Sequence, residues 1–131
     1  MREPTYKNEG DVKKQVKKLL NQHNYFWWMP SANGFGTTGV SDFLAFRGGV
    51  LLAIETKFDT NKPTTMQRAF LNSIRAETGF AFVVNEKRVT TLESFLGAFD
   101  RASKAASGGA KATPEDGAIM FNAIAEMTKE I

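Results

Sequence analysis

The sequence of 131 residues predicts an α/β fold, a sandwich of helices around one mixed β-sheet. Three observations predict it. Apolar residues recur at helical spacing in several segments, each with a polar opposite side. Two apolar segments, 42–46 and 50–57, flank the tight turn Arg47-Gly48-Gly49 and read as a hairpin. A helical segment then separates that hairpin from a further short apolar strand, and such a crossover returns its strand parallel to the one before.

The elements follow in order. From Glu9 to Gln22, Val12, Val16, Leu19 and Leu20 form one stripe at about 100° per residue, with Lys13, Lys14, Lys17 and Lys18 over the opposite side. Glu9 falls on the apolar stripe, one turn before Val12, so it should point toward the body of the protein. Tyr25 to Pro30 is an aromatic run best read as a strand. The glycines of Ser31–Gly39 (Gly34, Gly36 and Gly39) mark a flexible loop. Asp42–Phe46 and Val50–Lys57 are the hairpin strands. Phe58–Pro63 is a polar loop. Thr64 starts a helix to about Thr78, with Met66, Phe70, Leu71 and Ile74 inward and Gly79 beyond its end. Phe80–Val84 is the fourth strand. Thr91 to about Ala102 is a helix with Leu92, Phe95, Leu96 and Phe99 inward.

These elements place one domain in residues 1–102. Residues 103–112, rich in Ala, Gly, Ser and Lys, read as a linker. In 113–131, Thr113-Pro114-Glu115-Asp116 supplies an N-cap, a proline at the first helical position and acids in the first turn, opening a helix to about Lys129. That helix carries Ile119, Met120, Phe121, Ile124, Met127 and Ile131, apolar surface that must dock on its own domain or on a second subunit. A homodimer is the expectation.

Composition narrows the chemistry. There is no cysteine and only one histidine, His23. Zinc sites of His/Cys type, Ser-His-Asp triads and histidine-metal nucleases need residues the chain lacks. Carboxylates, lysines and hydroxyls are left to do the work. No apolar run approaches the ~20 residues of a membrane span, and Met1-Arg2-Glu3-Pro4 lacks the apolar core of a secretion signal. A cytoplasmic protein is expected. Net charge is +3, but residues 113–131 contribute −3, leaving +6 on the rest of the chain. Alone that is a weak pointer to nucleic acid.

The chemistry concentrates at Asp42, Glu55 and Lys57. Strand side chains alternate faces, so Glu55 and Lys57 point the same way. A strand as apolar as Val50–Ile54 is usually covered on both faces, and charges at its end are costly to bury unless they bind something. The plainer reading of Glu-x-Lys is an exposed strand end. Asp42 heads the paired strand, with a modest register offset from Glu55, and the two carboxylates share one face if register and twist allow. With no cation near they repel and raise one pKa. An acid pair plus a lysine binds a hard divalent cation and a phosphate together, which suggests a metal-dependent nuclease.

Other residues have two readings each. Glu9 is a helix N-terminal acid favoured by the macrodipole, or a third carboxylate at the mouth of the site. Gln67 closes a capping box with Thr64, or faces the site across from Lys57. Lys13, Lys14, Lys17 and Lys18 are solvated surface, or phosphate contacts. Tyr25, Trp27 and Trp28 suit a core or interface better than base stacking.

Gly39-Val40-Ser41-Asp42, Ile54-Glu55-Thr56-Lys57 and Lys62-Pro63-Thr64-Thr65-Met66-Gln67 together resemble the VRR-NUC branch of the PD-(D/E)xK nucleases, over about Glu9 to Val84. Ser41 stands where that family usually has proline, a residue that shapes the backbone but supplies no ligand. The resemblance implies a restriction-endonuclease-like three-layer core with a mixed central sheet (αβββαβ), here with helices added after it. It implies a Mg²⁺- or Mn²⁺-dependent phosphodiesterase acting on DNA, often branched or flapped, and often dimeric. By that correspondence Asp42 and Glu55 hold the cation, with the Thr56 carbonyl as a further ligand and Glu9 completing the outer shell. Lys57 orients water or stabilises charge, and Gln67 orients Lys57 or the water.

Overall fold

A computed structural model describes residues 3–30, 39–78, 80–106 and 113–131. The predicted loop up to residue 38 (with Gly34 and Gly36), Gly79 and residues 107–112 of the predicted linker lie outside the described residues.

The elements are α1 (Glu9–Gln22), β1 (Phe26–Trp28), β2 (Phe43–Arg47), β3 (Val50–Thr56), α2 (Thr65–Thr78), β4 (Ala81–Val84), α3 (Val89–Ala106) and α4 (Pro114–Met127). One sheet carries the strand order β1-β2-β3-β4. The first three strands run antiparallel in sequence, and β4 pairs parallel to β3 after the α2 crossover. The mixed sheet and its order match the sequence reading.

Helices cover both faces. On one, Val12, Val16, Leu19 and Leu20 of α1 join Leu92, Phe95 and Leu96 of α3 over Phe43, Leu52, Ile54, Phe82 and Val84. The Phe82 and Phe95 rings meet edge to face with centroids 4.9 Å apart. Each is fully buried, and each such burial stabilises by roughly 1.5–3 kcal/mol. On the other face, α2 sets Leu71, Phe70 and Ile74 on Ala53, Ala81 and Val83. This second layer lies over β3 and β4, leaving β1 and part of β2 with aromatic side chains in solvent.

The hairpin turn fixes the register. Gly48 and Gly49 both adopt positive φ (57° and 80°), which a two-residue turn of this hand requires and glycine adopts without steric penalty. Arg47 therefore pairs with Val50 and Phe43 with Ile54. Carried one pair further, Asp42 stands opposite Glu55. The predicted offset is absent, because a two-residue turn leaves no extra residue to create it.

Several boundaries differ from the sequence reading: β2 begins at Phe43 and not Asp42, β3 ends at Thr56, and β1 and α3 differ most. β1 is shorter than predicted, because Tyr25 turns inward, 6% exposed, with its N–H bonded to Leu20 O (2.9 Å). α3 runs on to Ala106, so the segment read as linker begins as helix. α4 docks on its own chain: Ala123 and Met127 are buried in the core with α1 and α3, and Met120 and Ile124 pack against it. Thr113 and Asp116 close the α4 capping box, and Arg101 of α3 grips Asp116 (Nε–Oδ1, 2.6 Å). Part of the apolar surface that suggested a second subunit is thereby covered within the chain, while Phe121 stays 73% exposed. No helix among the described residues is long and apolar enough to cross a membrane.

Candidate active site

The site lies where β3 ends beside the residue that precedes β2. Ser41 (2% exposed) sets the approach, donating its hydroxyl to Phe43 O at 3.0 Å. It thus shapes the backbone just before Asp42. Just upstream, Gly39 adopts φ +90°, and a Cβ there would come within 2.7 Å of the Met66 backbone. This close approach joins the start of α2 to the segment that carries Asp42 into β2.

The paired register lets each carboxylate be held by the backbone of its neighbour. Asp42 N–H donates to Glu55 Oε1 (3.1 Å). Thr56 donates to Asp42 Oδ2 twice, from its N–H (2.9 Å) and its hydroxyl (2.6 Å). The other oxygens face lysines. Lys57 Nζ lies 3.2 Å from Glu55 Oε2, and Lys13 Nζ lies 3.8 Å from Asp42 Oδ1. Lys13 also pairs with Glu9 Oε2 at 3.1 Å.

Electrostatics follow from burial. The Glu55 side chain is 2% exposed and that of Asp42 22%. Burial and then the Asp42 charge push the Glu55 carboxyl up to about 7, against the opposing Lys57 ammonium. For Lys13, burial lowers the pKa, but Asp42, Glu9 and Glu55 outweigh it and leave it raised.

The predicted residues are therefore only partly united. Asp42, Glu55, Thr56 and Lys57 come together. Thr56 holds Asp42 through its N–H and hydroxyl, a contact that the expected carbonyl ligand did not anticipate. Glu9 is joined to Asp42 only through Lys13. Among the described residues no three carboxylate or histidine side chains group as a metal site, so the expected convergence of three acids is replaced by an acid pair and two lysines. Gln67 closes the capping box, accepting from Thr64 N–H at 2.9 Å while Thr64 Oγ1 accepts from Gln67 N–H at 3.1 Å. No hydrogen bond joins it to Lys57 among the described residues. Of its two readings, which need not exclude each other, the cap is the one made here.

The lysines of α1 also divide. Lys14 and Lys18 are exposed and Lys17 is half-buried, whereas Lys13 turns toward Asp42. Sequence reasoning gave Lys13 only as a phosphate contact and missed its place beside Asp42. Its signal was the spacing Glu9 to Lys13, one helical turn, in which an acid and a base pair on the same side.

One oxygen of each carboxylate is the group that could be offered to a hard divalent cation. Oδ1 of Asp42 and Oε2 of Glu55 are not held by the backbone and face cations already. A buried carboxyl that folding makes harder to ionise gains from a nearby positive charge.

No model of a known protein family matches the chain, and no curated protein matches it.

Proposed function

We propose that this chain is a divalent-cation-dependent nuclease of the restriction-endonuclease-like type that hydrolyses the phosphodiester backbone of DNA, with branched or flapped DNA as its substrate. One observation carries the reading: Asp42 and Glu55 stand opposite each other at the end of the sheet, with Lys57 on the Glu55 carboxylate. Asp42 and Glu55 would hold Mg²⁺ or Mn²⁺. Bound there, the cation supplies polarisation of a phosphoryl oxygen and a water of lowered pKa. Thr56 fixes the Asp42 carboxylate for that task. Lys57 offsets negative charge as it builds on the phosphate oxygens. Glu9 keeps Lys13 beside Asp42, and Gln67 acts by fixing the start of α2. Lys14, Lys17 and Lys18 offer phosphate contacts along α1.

The experiment is cleavage of a panel of duplex, single-stranded, flap and four-way DNA with Mg²⁺ or Mn²⁺ and with chelator. Metal-dependent products that vanish in Glu55→Gln are expected. No cleavage of any substrate overturns the reading.

A second reading is a DNA-binding module that keeps the fold without the activity. The pairing of both carboxylates with lysines favours it, since Lys13 and Lys57 already balance their charge. Calorimetric titration with Mn²⁺ separates the two, because only the nuclease must bind the ion. A homodimer is compatible with either reading, and light scattering tests it; docking of α4 on its own chain covers part of the apolar surface first given as its ground and leaves Phe121 in solvent.

A further inference from the structure

The sheet face outside α2 carries three neighbouring rings in solvent. Phe26 is 71% exposed, Trp28 39% and Phe46 38%. Phe26 pairs with Phe46 and Trp28 with Leu44 across the β1–β2 ladder, so these side chains share a face. Trp28 stacks on Phe46 at 5.7 Å with the rings 22° apart, and Phe26 meets Trp28 at 5.8 Å. The alternation of the ladder puts Glu55 on this same face. Phe43 pairs with Ile54 and Leu44 with Ala53, so the position opposite Trp28 stands two residues along β2 from Asp42. An aromatic surface thus leads up to the carboxylate pair.

We propose that Phe26, Trp28 and Phe46 form a stacking platform for unpaired bases of a nucleic acid, which positions a single-stranded segment beside Asp42 and Glu55. The proposal rests on the nuclease reading for its link to the carboxylates and deepens it: the substrate must present unstacked bases. Three points favour this occupant. Bases offer flat apolar faces to flat rings and tolerate any sequence. A polyanion complements a chain of net charge +3. A second copy is the poorer fit. It would bring like charges together on a strand only three residues long, whereas stable interfaces take about 20–30 residues from each side.

The test is fluorescence anisotropy with a labelled oligothymidylate of about 20 nucleotides, longer than one small binding fold covers. It is run in chelator, so it reads binding whether or not the protein cleaves. Trp28→Leu keeps apolar bulk and removes the ring, and it should weaken binding about tenfold or more. Trp28→Phe should retain most of the affinity. Neither change should alter binding of a blunt duplex, whose bases are already stacked. If Trp28→Leu fails to fold by circular dichroism, Phe26→Leu, at the most exposed of the three rings, replaces it. Wild-type affinity in the leucine variant overturns the platform, and so does a dimer in light scattering that the leucine variant converts to monomer. Failure of the nuclease reading shows separately, as absence of metal-dependent cleavage by the wild type.

Discussion

A carboxylate buried beside a second carboxylate is one that folding makes harder to ionise, and Glu55 is in that position. Its folded-state pKa of about 7 lies above its ordinary value of 4.5. Below 4.5 the group is protonated in both states and contributes no penalty. As pH rises from 4.5 to 7 the unfolded chain releases its proton first, so the folded state loses stability across that window. Above 7 the full penalty stands, on the order of 3 kcal/mol for a shift of this size. Glu55→Gln should therefore flatten the fall in melting temperature between pH 5 and pH 8 and melt higher than wild type at pH 8. Mn²⁺ should raise the wild-type melting temperature at pH 8 and leave the variant's unchanged. Equal pH profiles for the two proteins would refute this account of Glu55. Lys57 makes a separate prediction. It is a charge partner and not a ligand, so Lys57→Met should keep Mn²⁺ binding by calorimetry while cleavage falls by roughly 10²–10³. Unchanged turnover would reduce Lys57 to a counter-charge.

At the scale of elements, the site depends on how the approach to β2 meets α2. Gly39 is the contact point, with positive φ and no room for a Cβ against the Met66 backbone. Gly39→Ala should destabilise by about 1–3 kcal/mol through backbone strain and clash, and should lower cleavage more than its stability loss explains, because Asp42 moves with this segment. Thermal melts and cleavage rates on one sample check both, and a wild-type melting curve would sink the idea. The elements also show what the sequence made legible. The apolar run of β3, the paired glycines and the α2 crossover declared the sheet order, because alternation and turn chemistry are local signals. The Asp42–Glu55 pair was legible in outline. Its register was not, because one residue in the turn decides it. Lys13 was legible as a phosphate contact but not as a partner of Asp42, because it sits at the border between the α1 lysine arc and the stripe that packs on the sheet. Gln67 had two local readings, and only the cap is made. Trp28 read as core or interface by composition, and Phe26 only as part of the aromatic strand. Their exposure follows from how far α2 reaches over the sheet, which no local signal states.

At the scale of the whole molecule, the last segment belongs to the core. Asp116 is buried at the start of α4 under Arg101, whose guanidinium holds its carboxyl below the usual range. Ala123 and Met127 close over the α1–α3 layer, and Arg88 of the loop before α3 reaches Glu126 at 3.2 Å. Glu130 pairs with Lys62 at 3.5 Å, and Ile131 packs against the α2 layer, so the chain end touches both sides of the sandwich. Deleting residues 113–131 should therefore strip one wall of the core. Exposing Leu92, Phe95 and their neighbours removes several buried side chains, each contributing about 1.5–3 kcal/mol, against a total stability of only about 5–15 kcal/mol for a domain. The truncated chain should be unfolded or aggregated at room temperature, with loss of near-ultraviolet dichroism. A dimerisation helix behaves differently, since its removal leaves a soluble, folded monomer with an intact melting transition. Met127→Ala tests the same point more gently, with an expected loss of about 2–5 kcal/mol and a single cooperative transition. A truncated protein that melts like the full chain would place α4 outside the core and return it to the role of a docking arm.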